Sequence, residues 1–176
     1  MKFNFKKLTI AIIILTIITF TGLKITKRFL YHPYNVERFG TFDKNKDFVI
    51  VFHGIYGKAK TLKPITDTLE KEGYSGINIQ YPTTEDTVEK ITEKYIAPNI
   101  ESVSKTVEEE NTRRKKQELP EIKINFIVHS MGTGILRYYL KTHKLNNLGK
   151  VIFISPPSHG SQLSDNPISD ILKDTL

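Results

Sequence analysis

Residues 121–140, EIKINFIVHSMGTGILRYYL, constrain the fold more than any other stretch of the chain. The first half is a short apolar run. Ile122, Ile124, Phe126, Ile127 and Val128 are mostly β-branched or aromatic and read as a buried strand. The second half has a different period. Ile135, Leu136, Tyr138, Tyr139 and Leu140 recur at helical spacing, with neither Pro nor Gly after Gly134. The change of period falls at His129-Ser130-Met131-Gly132. A strand that turns sharply into a helix at a Ser holds the hydroxyl out at the carboxyl end of a sheet. The amide of the next residue then points to where an oxyanion would form. The plain alternative is that Ser130 caps a helix, a role Ser favours without any chemistry. Gly132 and Gly134 weigh against it. Each costs about 1 kcal/mol against Ala in a helix, so close approach of helix to strand is expected there. Val128 occupies the first position of a G-x-S-x-G pattern and departs from it.

A second buried strand, residues 47–52, ends at His53-Gly54-Ile55-Tyr56-Gly57. Two glycines directly after a strand suggest backbone that turns and approaches something closely. One reading is a loop that lends an N–H to an oxyanion hole; the other is an ordinary strand-to-helix turn. His53 opens the turn and precedes Ser130, which suits loop shaping better than proton transfer. Residues 61–72 predict a helix with Pro64 near its start and Gly73 closing it. Residues 74–80 predict a third strand. Residues 85–116 predict a long helix kinked at Pro98, with a solvated EEENTRRKK end. A fourth strand at residues 150–154 runs into SPPSHGS. Strands alternating with helices imply a parallel sheet with right-handed crossovers. Ligands of such sheets sit beyond the carboxyl ends of the strands, where His53, Ser130 and His159 all fall.

The chain has 176 residues, enough for one domain with a core. It contains no Cys, which excludes a disulfide, a thiol nucleophile and a Cys metal site. Residues 1–40 carry seven basic side chains against Glu37 alone, so almost all of the net charge of +7 lies there. That distribution argues against nucleic acid binding by the rest of the chain. It favours a membrane-flanking segment. Residues 8–23, LTIAIIILTIITFTGL, are uncharged between Lys2, Lys6 and Lys7 on one side and Lys24, Lys27 and Arg28 on the other. Sixteen helical residues span about 24 Å, and flanking lysines could extend that toward a ~30 Å hydrocarbon core. The rival is a signal-peptide core, for which no A-x-A cleavage site is present. The expected organisation is a transmembrane signal anchor over 1–28, a linker over 29–45 and a globular domain over 46–176. The expected location is a single-pass N-terminal membrane anchor with the domain on the periplasmic or extracytoplasmic side.

Together VIVFHGIYG, GYSGINIQYP, the Ile96-Ala97-Pro98 kink, FIVHSMGTGILRYYL and VIFISPPSHGS resemble the α/β-hydrolases, and among them bacterial lipase- or esterase-like proteins. The resemblance runs from about residue 47 to residue 163. It implies a partial α/β-hydrolase fold, a mostly parallel sheet with helices on both faces, after one N-terminal hydrophobic helix. It implies Ser130 as nucleophile and the amides of Ile55 and Met131 as oxyanion hole. His53, Gly54, Gly57, His129 and Gly132 would support them. The implied substrate is an acyl ester or lipid, and hydrolases of this kind need no metal or organic cofactor. Relatives of this type often carry Thr where Val128 stands, and Val has nearly the shape of Thr.

The acid and base of a triad are harder to find. The family's chain order is Ser, then Asp or Glu, then His. No Asp or Glu occurs between Met131 and Ser158. His143 lies ~20 Å along the following helix from Ser130. His159 precedes Asp165, Asp170 and Asp174 with no later His. The expectation is a membrane-anchored serine hydrolase acting on esters, with an inactive, shortened hydrolase or binding module as the alternative. The strand at residues 150–154 would then form an apolar sheet edge.

Overall fold

In the computed structural model, residues 12–22, 32–43 and 45–157 are described. The chain divides into two units, residues 1–31 and 32–176. The described part of the first is one helix, α1, over residues 12–22. Its Ile, Leu and Phe side chains are exposed. At 1.5 Å per residue it is about 16 Å long, roughly half of a bilayer's hydrocarbon thickness. Among the described residues, no helix is long and apolar enough to cross a membrane. This overturns the expected transmembrane signal anchor. The membrane partner and the periplasmic or extracytoplasmic placement drawn from that anchor fall with it. The remaining positions of the apolar run, residues 8–11 and 23, lie outside the described residues.

The second unit is built on a five-stranded sheet. Its strands are β1 (Asn35–Phe39), β2 (Phe48–Phe52), β3 (Ser75–Gln80), β4 (Ile124–His129) and β5 (Leu148–Ile154). They lie in the order β1-β3-β2-β4-β5. β2 pairs parallel with β3 and β4, and β4 pairs parallel with β5. β1 alone is antiparallel, on β3. It falls within residues 29–45, expected as linker; an edge strand can be charged, as its Glu37 and Arg38 show.

Alternating side chains of the central strands feed two cores. Ile50, Phe52, Ile124, Phe126 and Val128 face one side, with Ile91, Ile100, Ile135, Leu136 and Tyr139. Those partners come from α3 (Val88–Ile91), α4 (Ala97–Lys116) and α5 (Met131–Thr142). Val49, Val51 and Ile127 face the other side, with Leu62, Ile65 and Leu69. That layer is a 3₁₀ turn at Ala59–Leu62 and α2 (Lys63–Lys71), with Pro64 in its first turn. Helices thus cover both faces of a mostly parallel sheet.

Pro98 does more than kink a helix. In an unbroken α-helix its ring would clash with the carbonyl of Lys94, four residues back. A π turn at Thr92–Ile96 precedes α4, and the Ala97 N–H bonds the Thr92 carbonyl, five residues back. The extra residue re-aims the backbone so that Pro98 opens a fresh helix.

The sheet grows from β2 to β3 in one direction, then returns past β2 to place β4 on its other side. This reversal puts the crevice of the parallel sheet between the carboxyl ends of β2 and β4.

Candidate functional site

β4 enters this crevice as an interior strand with neighbours on both sides and ends at His129. Ser130 follows with φ 51° and ψ −121°. That backbone region is rare for a residue with a Cβ and costs about 1–3 kcal/mol. Two neighbours hold it. The Ser130 N–H donates to the Ile154 carbonyl of β5 at 2.9 Å. The Ser130 carbonyl accepts from the Thr133 N–H at 2.9 Å and the Thr133 hydroxyl at 2.8 Å. The Ser130 side chain makes no capping bond to α5. The hydroxyl has no hydrogen-bond partner among the described residues. Val128, the departure from the glycine pattern, is buried on the α5 side of the sheet and leaves the turn clear.

The glycines on either side have unequal roles. A Cβ on Gly132 would stand 2.8 Å from the His53 carbonyl oxygen and 3.2 Å from that of Phe52. The helix therefore starts in contact with the end of β2. A Cβ on Gly134 would meet nothing within 4 Å, so the close approach expected at both positions occurs only at Gly132. Replacing Gly134 by Ala is expected to raise stability by about 1 kcal/mol, the difference in helix propensity. Denaturant unfolding of that variant is the measurement; a fall in midpoint would contradict it.

The loop after β2 meets the same point. A Cβ on Gly54 would lie 2.5 Å from Ser130 Cβ and 3.1 Å from Ser130 Oγ. Only a bare backbone fits there. Gly54 to Gly57 forms a turn closed by Gly57 N–H to the Gly54 carbonyl at 3.0 Å, with Tyr56 at φ 55°. The Tyr56 N–H donates to Thr83 Oγ1 at 2.9 Å. The amides of Ile55 and Met131 have no hydrogen-bond partner among the described residues. The Ile55 side chain is exposed.

His53 is fully buried. Its ring stacks on Tyr81 with centroids 4.5 Å apart. Nδ1 donates to the Gly54 carbonyl at 2.8 Å, and Nε2 accepts the Tyr81 N–H at 3.4 Å. The Tyr81 hydroxyl donates to the His53 carbonyl. Burial pushes the His53 pKa down to about 4. The Gly54 hydrogen bond opposes this, and the nearby imidazoles of His32 and His129 add to it. Burial also raises the Tyr81 phenol well above its ordinary value. A neutral imidazole with both nitrogens engaged shapes the loop and cannot take a proton from Ser130.

His129 is half-buried at the end of β4. His143 ends α5, stacked on Tyr139 at 4.6 Å and 3.5 Å from Glu93. His159, Asp165, Asp170 and Asp174 lie outside the described residues. Three contributors were not legible in sequence: Tyr81 and Thr83, just past β3, and the Ile154 carbonyl. Tyr81-Pro82 signals only the end of a strand, and its role depends on which strand lies beside β2.

No curated protein matches the chain. Among solved structures, a monoacylglycerol lipase from Paleococcus ferrophilus aligns with TM-score 0.50 at 16% identity, over 71% of this chain and 44% of its own. An esterase from Exiguobacterium antarcticum aligns with TM-score 0.48 at 19% identity, over 71% of this chain and 42% of its own. A soluble variant of monoglyceride lipase from Saccharomyces cerevisiae gives 0.48 and 19%, over 79% and 46%. The chain thus spans less than half the length of each. At such identities a likeness says nothing beyond the fold, and the fold described above is that of a partial α/β-hydrolase. The sequence carries the matter further, because residues 43–156, well over half of the chain, match one family along their whole length, and the chain belongs to that family, described as "Putative serine esterase (DUF676)".

Proposed function

We propose that this chain is a catalytically inactive member of the hydrolase superfamily, a binding module for acyl-ester or lipid-type ligands at the crevice beside Ser130. The observation that carries this reading is the Ser130 hydroxyl, which has no hydrogen-bonded base among the described residues. A serine at its ordinary pKa is a weak nucleophile and needs an adjacent base. In a serine hydrolase, losing the Ser or the base costs about 10⁶ in turnover, and about 10³–10⁴ over water survives from the oxyanion hole and binding. His53 cannot substitute, because both its nitrogens are engaged. The features that support ligand binding are the bare backbone of Gly54 against Ser130, the amides of Ile55 and Met131, which have no hydrogen-bond partner among the described residues, and the exposed Ile55 and Tyr56 side chains. In this proposal the Ile55 and Met131 amides receive the ligand's carbonyl oxygen and Ser130 lies beneath its carbonyl carbon. His53, Gly54, Gly57, His129 and Gly132 shape that backbone.

The test is a nitrophenyl-ester assay on wild type, Ser130→Ala and His159→Ala, with calorimetric titration of the same ester and a serine-directed phosphonate as label. Equal, near-background rates in all three proteins with saturable binding are expected. Rapid turnover abolished by both substitutions would overturn the proposal, and so would a failure to bind.

A further inference from the structure

The loop after β2 holds a bulky residue in a place that favours glycine. Gly57 N–H donates to the Gly54 carbonyl at 3.0 Å and closes a four-residue turn. Tyr56, third in that turn, has φ 55°, and Ile55 before it is not at positive φ. That combination is a type II turn, whose third position favours Gly or Asn. In a type I turn the middle peptide is turned over, and the third residue takes a φ of about −90° that suits any side chain. The two forms differ in the direction of one peptide unit, the Ile55 carbonyl with the Tyr56 N–H. Left to itself, a turn with Tyr in third place would take the type I form.

Contacts on both sides of the loop bear on that choice. His53 Nδ1 donates to the Gly54 carbonyl at 2.8 Å, beside the Gly57 N–H, so the first peptide of the turn is held. A Cβ on Gly57 would stand 2.9 Å from His53 Cβ and Nδ1, so the last residue lies against the same ring. Neither contact involves the middle peptide. That unit is held from β3: the Tyr56 N–H donates to Thr83 Oγ1 at 2.9 Å. Turning the peptide over would break this bond. Thr83 is only 7% exposed, and its branched Cβ restricts where the hydroxyl can point. It stands just past the carboxyl end of β3, which pairs with β2, so the sheet itself brings the acceptor to the loop.

We propose that Thr83 is a positioning residue for the crevice: its hydroxyl oxygen keeps the Ile55–Tyr56 peptide in the orientation that receives an ester. The role rests on ester binding beside Ser130. With the peptide turned over, Tyr56 would pass from positive to negative φ, and its exposed side chain would leave the loop in another direction. The Ile55 carbonyl would change sides as well. That reverses a peptide dipole of about 3.5 D next to the Ile55 N–H. In the binding mode proposed above, this N–H meets the ligand's carbonyl oxygen, and fixed dipoles around such an oxygen set how strongly it is held. Thr83 acts through Tyr56 and not on the ligand itself.

The test is a double-substitution cycle on the full chain, read by calorimetric titration with nitrophenyl butyrate. Thr83→Val keeps the shape and removes the acceptor. It is expected to bind about tenfold more weakly, the effect of losing one hydrogen bond of this kind. Thr83→Ser keeps the acceptor and should bind as the wild type does. Tyr56→Gly lets the turn hold positive φ without help, so adding Thr83→Val to it should change the affinity little. A role in packing alone would instead weaken binding equally in both backgrounds. That equal loss, or unchanged binding in Thr83→Val, would overturn the proposal while ester binding by the wild type stands. So would a Thr83→Val protein that circular dichroism shows to be unfolded and that Tyr56→Gly does not restore. A wild type that binds no ester would remove the binding role of the crevice, and the role of Thr83 with it.

Discussion

Acidification from above pH 6.5 to pH 4 is expected to remove on the order of 3 kcal/mol of folding stability through His53 alone. The imidazole titrates at its ordinary value of 6.5 in the unfolded chain and at about 4 in the folded one. Between those values the unfolded chain binds more protons, so stability rises with pH across the window. The contribution is complete above pH 6.5 and fades as pH falls through the folded value. The cause is desolvation of a ring whose Nε2 must stay unprotonated to accept the Tyr81 N–H. The titratable groups facing it are His32, His129 and Tyr81. The two imidazoles disfavour a charge at His53, and the phenol remains neutral throughout the window. Depressed carboxylates such as Glu85, held by Lys94 and Tyr95, lose their contribution only at lower pH. Denaturant titrations of wild type and His53→Asn at several pH values separate the terms. The variant should be less stable at neutral pH and nearly flat between 6.5 and 4. Parallel curves for the two proteins would show that His53 does not titrate as its burial requires.

The elements around this site differed in how much of them could be read from sequence. β2 is a continuous apolar run and β4 is one interrupted only by Asn125 before it ends at His129, and burial on both faces of a parallel sheet selects that pattern. The elbow was legible because the period changes from strand to helix at Ser130. β1 was not, since NVERF carries charges at an edge and owes its place to antiparallel backbone pairing with β3. The helix over 85–116 was placed, but not the π turn that lets Pro98 stand inside it. The apolar run at residues 8–23 was read as a membrane span by length and hydropathy; among the described residues no helix is long and apolar enough for one. At the site, Gly54 and Gly132 could be flagged from the motifs alone. Their contacts with Ser130 and His53 depend on β2 and β4 being neighbours, which no local pattern encodes. Gly134 shows the converse, a glycine inside a motif with open space around it.

Ser130→Gly and Gly132→Ala, two residues apart, are expected to move stability in opposite directions. Ser130 holds φ 51° and ψ −121°, a region that glycine enters freely and a residue with a Cβ enters at a cost. Its N–H and carbonyl are held by Ile154 and Thr133, so removing the side chain leaves the backbone pinned and relieves the strain. A gain of about 1–2 kcal/mol should follow, reduced by the greater freedom of glycine in the unfolded chain. Ser130→Ala keeps the Cβ and should show no such gain. Gly132→Ala must push a Cβ against the backbone oxygens of His53 and Phe52. Main-chain atoms at the end of an interior strand cannot step aside, so a loss of about 1–3 kcal/mol is expected. Denaturant unfolding of the three variants gives all the differences. Ser130→Gly no more stable than Ser130→Ala would mean that the turn is not strained. The contrast also bears on the origin of the geometry. The anchors of Ser130 are backbone groups and Thr133, and the Ser130 hydroxyl takes no part in them. The elbow is thus imposed on Ser130 by β5 and α5, and it can persist whether or not a base is present to use the hydroxyl it displays.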